Sequence, residues 1–167
     1  MNGINIIFLD VDGVLNAKNT KDRCGPYVGI DDQKVSYLKE IVDQTNAKIV
    51  LVSSWKEFWE KEPYKKRQDM MANYLDNKLA KQGLKIVDKT YEPFSPYQRG
   101  EGILDYLAFL KRNEIDVHNY VVLDDLSFDY RKTKLINNLI KTSFYQSGLN
   151  KKHTLKAIAL LKGDNAL

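Results

Sequence analysis

The chain of 167 residues carries one cysteine and four prolines, and no apolar run in it approaches the ~20 residues that cross a bilayer. Cys24 has no second cysteine to pair with, so an internal disulfide is excluded, and it reads as a small inert side chain. The opening MNGINIIFL lacks both the basic region and the ~7 to 15 residue apolar core of a secretory signal. The expectation is a cytoplasmic protein without a membrane segment. No repeat or low-complexity linker divides the chain. Its length is that of a single domain over 1–167, able to bury most of its apolar surface without crosslinks. A composition of 43% hydrophobic and 29% charged residues is that of a globular protein. The net charge of +4 suits a polyanionic partner without requiring one.

What is present is alternation. NIIFLD (5–10), AKIVLVS (47–53), LKIVDK (84–89), NYVVLD (119–124) and KTSFYQ (141–146) read as five strands, four of them rich in Val, Ile and Leu. Such continuous apolar runs suit strands buried on both faces. Between and after them, apolar residues recur at helical spacing: Val35, Leu38, Ile41 and Val42; Met71, Leu75 and Leu79; Ile103, Leu107 and Leu110; Leu135 and Leu139; Leu155, Ile158 and Leu161. This order predicts an α/β fold, a doubly wound, Rossmann-like parallel sheet of five strands. Sites in such sheets lie at the carboxyl ends of the strands. Asp10, Ser53 and Asp124 each close a strand and converge on one crevice. The segment 55–70 mixes both charges and reads as a solvated helix and loop broken by Pro63.

FLDVDGVLN (8–16) sets Asp10 and Asp12 two residues apart at a strand end, where like charges repel if both are buried and ionised. A turn begun by Asp12 and Gly13 is one explanation. A hard divalent cation held by carboxylate oxygens is the other. YVVLDDLSFD favours the second, because Asp124 and Asp125 end another apolar strand and would face the first pair if the strands are neighbours.

FLDVDGVLN resembles the first motif of the haloacid dehalogenase (HAD) superfamily phosphatases, and YVVLDD resembles their fourth, acidic motif. GIDDQKVSYLKEIVDQTNAKIVLVSSWKE, RGEGILDYL and SGLNKKHTLKAIALL extend the likeness to the small HAD-domain family associated with Swiss Army knife RNA repair proteins. The resemblance implies that Asp10 is the nucleophile and Asp12 the general acid and base. It also implies a Mg²⁺ ion held among Asp10, Asp12, Asp124 and Asp125, with Asp124 the more direct ligand of the last two; Asp129 is either a further outer carboxylate or a solvated loop residue. Gly13, without a side chain, admits phosphate or metal closely. Ser53, with Ser54 as its neighbour and alternative, matches the second motif and donates to a phosphoryl oxygen; a helix cap is the other role for a serine at a strand end. Arg99 stands where the superfamily usually has Lys, and would neutralise charge on the transferred phosphoryl group while the free N–H groups of the helix it opens face the anion.

Trp55 is read either as packing or as a stacking surface for a base. Lys56 follows it where related sequences tend to have Arg, and lacks the bidentate fork of Arg. Residues 14–32 have room only for a flap turning at Gly25 and Pro26, and 90–98 are too few for a folded insert, so the expected HAD core is capless. Lys18, Lys21, Arg23, Lys56, Lys65, Lys66, Arg67 and Arg131, with Tyr27, Trp55, Trp59 and Tyr64, either ring the crevice as a single-strand binding surface or are scattered charges and packed rings. The implied activity is a Mg²⁺-dependent phosphomonoesterase whose phosphorylated substrate is a nucleic-acid end or a nucleotide. A phosphotransferase and a catalytically silent binding module are the alternatives.

Overall fold

The computed structural model describes residues 3–57, 59–61 and 69–164, and the expectations at Pro63, Tyr64, Lys65, Lys66 and Arg67 fall outside them. Along the chain run β1 (Ile4–Leu9), β2 (Arg23–Cys24), β3 (Tyr27–Val28), α1 (Asp32–Thr45), β4 (Lys48–Leu51), α2 (Met70–Ala80), β5 (Ile86–Lys89), α3 (Arg99–Arg112), β6 (Val117–Asp124), β7 (Leu139–Lys141) and α4 (Lys151–Lys162). Five strands pair in the order β5-β4-β1-β6-β7, every pair parallel. This is the doubly wound α/β sheet that the alternation of runs predicts.

β1 lies at the centre, and Ile6, Ile7, Phe8 and Leu9 are all fully buried. Successive side chains on a strand point to opposite faces. Ile7 and Leu9 therefore join one core with α1, α2 and α4 through Leu38, Leu75 and Leu161. Ile6 and Phe8 join the other, with Ile103 of α3 and with Tyr130 and Leu135. The helix starts are locally encoded. Asp31, Asp69 and Asn150 each accept a hydrogen bond from a backbone N–H of the first turn of α1, α2 and α4. The insert after β1 folds as the antiparallel hairpin β2–β3, with Gly25 in the turn at φ 57°. Among the described residues no helix is long and apolar enough to cross a membrane.

The end of the chain departs from the sequence reading. The fifth strand is Leu139–Lys141, and of the expected 141–146 only Lys141 belongs to it. After one more ladder bond, Thr142 N–H to the Asp124 carbonyl at 3.0 Å, the chain turns back through Gly148 N–H to the Ser143 carbonyl at 2.9 Å. Phe144 and Tyr145 have high β propensity, but Tyr145 is 80% exposed and gains no packing from a strand there. Leu135 and Leu139 do bury on one side, yet by a three-residue 3₁₀ turn, Ile136–Asn138, and the start of β7. Leu155 of α4 faces solvent, and Ala157 takes the core position beside Ile158 and Leu161.

Candidate active site

The carboxyl ends of neighbouring β1 and β6 bring Asp10 and Asp124 together, as Asp10 N–H pairs with the Leu123 carbonyl at 2.9 Å. Arg99, the first residue of α3, lies between them. Its Nη1 is 3.2 Å from Asp10 Oδ2 and 2.9 Å from Asp124 Oδ2. All three side chains are buried. The Tyr130 hydroxyl donates to Asp124 Oδ2 at 2.7 Å, and Leu126 N–H donates to Oδ1 at 3.0 Å. Both oxygens of Asp124 are thereby engaged. Half-buried Asp125 keeps a more open carboxylate, and ligand oxygens of Asp10, Asp124 and Asp125 all lie within 4.8 Å of one another.

Electrostatics follow from this crowding. Burial, followed by the neighbouring Asp124 charge, pushes the Asp10 carboxyl up to about 7 against the lowering effect of Arg99, Val11 N–H and the Ser53 hydroxyl. Asp124 and Asp125 are also raised, chiefly by burial. The Arg99 guanidinium is driven further up, the Asp10 and Asp124 charges outweighing its own desolvation. It stays charged at every working pH.

Asp12 is set apart from that group. The chain leaves the strand after Asp10, and Asp12 is exposed with its oxygens bound on both sides, to Asn16 Nδ2 at 2.9 Å and to the Trp55 indole N–H at 3.0 Å. The repulsion expected between residues two apart on a strand is thus relieved by the turn. Trp55 is 3% exposed, which removes it as a stacking surface and gives it a polar task that its hydrophobic bulk concealed. Gly13 sits at φ 78°, and its carbonyl accepts from the Thr142 hydroxyl at 2.6 Å. What approaches the bare Gly13 backbone is the Asp125 carboxylate, which a methyl group there would meet at 2.3 Å.

Ser53 is fully buried beside Asp10, and its Oγ also accepts from Trp55 N–H at 3.3 Å, so the capping role and the place next to Asp10 coexist in one side chain. Ser54 is exposed on the 3₁₀ turn that follows, Ser54–Glu57. Two expectations need correction. The start of α3 is not open to an anion, because Asp129 accepts from Gly100 N–H at 2.6 Å and Glu101 N–H at 3.1 Å. Asp129 is accordingly a helix cap brought in from the chain after β6. Lys56 does not border an open crevice; it is buried, and its ammonium is bound by Thr90 and Glu92. Trp59 is buried as well. Lys18, Lys21 and Arg23 are exposed on the insert after β1, as Arg131 is after β6.

Four carboxylates, Asp10, Asp12, Asp124 and Asp125, lie at this end of the sheet, and among the described residues Arg99 is the cation paired with Asp10 and Asp124. Oxygen donors in excess of cationic charge are the donor set of a hard divalent ion. A family model described as the HAD domain in Swiss Army Knife RNA repair proteins matches residues 6–154. The chain belongs to this family. No curated protein matches the chain. The match to the HAD domain runs from β1 into the first turn of α4 and contains every side chain named in the crevice. The sequence reading of this HAD domain passed over Asn16 and Tyr130 as site residues and gave Asp129 an outer-carboxylate role in place of its capping one. Asn16 stands four residues after Asp12 inside the quoted motif, a polar residue that ends an apolar pair, and that position was the usable signal; the structure buries it fully. Asp129 and Tyr130 carry no local signal, since their partners lie on α3 and at the end of β6.

Proposed function

We propose that this HAD domain is a Mg²⁺-dependent phosphomonoesterase working through an aspartyl-phosphate. The observation that carries the reading is the buried Asp10 with Arg99 at 3.2 Å, while Asp12, the second carboxylate of the same loop, is held apart and exposed. Asp10 Oδ forms a bond to phosphorus as the bond from phosphorus to the leaving oxygen breaks, and Asp12 gives that oxygen its proton. Asp12, now a carboxylate, then takes a proton from water as the water attacks phosphorus and releases Asp10 and inorganic phosphate. Arg99 and the Ser53 hydroxyl support charge on the phosphoryl oxygens through both steps. Asp10, Asp124 and Asp125 are the side chains that would hold Mg²⁺, which supplies neutralisation of the carboxylates and of the incoming phosphate.

The β2–β3 hairpin and the loop 90–98 leave the crevice without a folded cap among the described residues, and we read the protein as capless. An open crevice accepts a phosphate on a large molecule, and a nucleic-acid end or a nucleotide is the substrate class we assign. The test is phosphate release from a panel of phosphorylated oligonucleotides, nucleotides, sugars and phosphopeptides, with Mg²⁺ and with EDTA. Release from the first two classes that stops in EDTA and in Asp10→Asn is expected. Undiminished turnover in that variant would remove Asp10 as nucleophile, and transfer to an added alcohol in place of water would make the protein a phosphotransferase.

A further inference from the structure

Arg99 meets the carboxylates through Nη1, and its guanidinium also stands against an aromatic ring. Its Cζ stands 4.2 Å from the centroid of Phe128. Phe128 lies 6.5 Å from Tyr97 with the ring planes 35° apart, and Tyr97 is 73% exposed. Ring surface thus runs from the candidate phosphate clamp out to solvent.

Two further observations set this arrangement apart from incidental packing. Phe128 has φ 34°, in the left-handed region that bulky residues rarely adopt, and such strain persists where the surrounding structure enforces it. Asp129 and Tyr130, bound to α3 and Asp124, enforce it here. The second observation is the loop 90–98, which exposes three rings, Tyr91 at 70%, Phe94 at 90% and Tyr97 at 73%. Its root is fastened, at Glu92 by buried Lys56 and at its far end by entry into α3. An anchored loop that turns its rings outward, with Tyr97 set against the ring that covers Arg99, is poorly explained by folding alone.

We propose that Tyr97 and Phe128 form a stacking subsite for a nucleobase, so that the phosphate seated at Arg99 belongs to the end of a single-stranded nucleic acid. The proposal rests on the phosphatase reading for the seat of the phosphate. Aromatic side chains stack bases of any identity, and basic side chains track the backbone. The chain has a net charge of +4, and Arg131 and Lys134, just beyond Phe128, are exposed. A phosphotyrosine peptide would bring one ring, attached to the phosphate itself, with no charged backbone to reach Arg131 and Lys134.

Binding is measured by fluorescence anisotropy in the Asp10→Asn background, so that no turnover intervenes. The probes are a short phosphorylated oligonucleotide, the same strand with an abasic residue at the phosphorylated end, and a phosphotyrosine peptide. The base-bearing strand is expected to bind about tenfold tighter than the abasic one, within the range that one stacked base supplies. Tyr97→Ala should remove that ratio and Tyr97→Phe should retain it, which separates stacking from a folding defect. Equal binding of the two strands, an equal loss on both in Tyr97→Ala, or tighter binding of the peptide overturns the proposal. A protein that shows the tenfold ratio but releases no phosphate before the Asp10 substitution would overturn the phosphatase reading and leave the subsite standing.

Discussion

At the scale of single residues, Asp10 links protonation to stability. An Asp ordinarily ionises near 3.8, and here burial and Asp124 hold the carboxyl up to about 7. Between those values the folded chain keeps a proton that the unfolded chain has lost, so stability of the metal-free protein falls as pH rises through that window. A divalent ion held as proposed would compete for the same oxygens. Mg²⁺ is therefore expected to raise the melting temperature more at pH 8 than at pH 5.5, as thermal melts with Mg²⁺ and with EDTA will show. A shift independent of pH would dissociate Asp10 from the metal site. Gly13→Ala joins a φ of 78° to a methyl group 2.3 Å from Asp125 Oδ2. About 1–2 kcal/mol of stability should be lost to the backbone alone. Weakening of Mg²⁺ binding by tenfold or more in calorimetry would follow from displacement of Asp125. At this scale the sequence revealed the acids, whose pairing at strand ends is a local pattern. It concealed the donors that orient them, because Trp55 reaches Asp12 across 43 positions and looks in sequence like core.

At the scale of elements, α3 depends on a neighbour. No side chain of its own caps it, and Asp129 supplies both bonds to its first turn from a segment 28 and 29 residues away in sequence. Asp129→Ala should lower stability by about 1 kcal/mol, the usual worth of a cap. For a chain of this size that is a fall of about 2–4 °C in melting temperature. Because Arg99 opens this helix, kcat should fall along with the melting temperature; a drop in melting temperature with kcat intact would detach the cap from the site. The strands β1, β4 and β6 were legible because burial on both faces writes continuous apolar runs, and the edge strand β5 was legible through Ile86 and Val87. The short edge strand β7 was not, since Leu139–Lys141 gives too few residues to distinguish a strand from the turn of Leu135 and Leu139.

At the scale of the whole molecule, surface charge is the property that sequence states directly and structure distributes. Lys56 is withdrawn into a buried pair, whereas Lys18, Lys21, Arg23 and Arg131 stay exposed. Binding of a phosphorylated strand should weaken with salt, with a slope of log K on log salt of about −1.4 for two phosphate contacts or about −2.1 for three. A slope near zero would mean that the exposed cations take no part.

One stretch of chain, Asp125 to Tyr130, supplies an open carboxylate, a ring against Arg99, the cap of α3 and the hydroxyl on Asp124. These functions cannot be inherited or engineered one at a time. A graft of the DxDG loop onto another parallel sheet would carry the acids without the geometry that governs them. A graft that keeps that geometry needs the loop together with Ser53, Trp55, Asp124–Tyr130 and the first turn of α3.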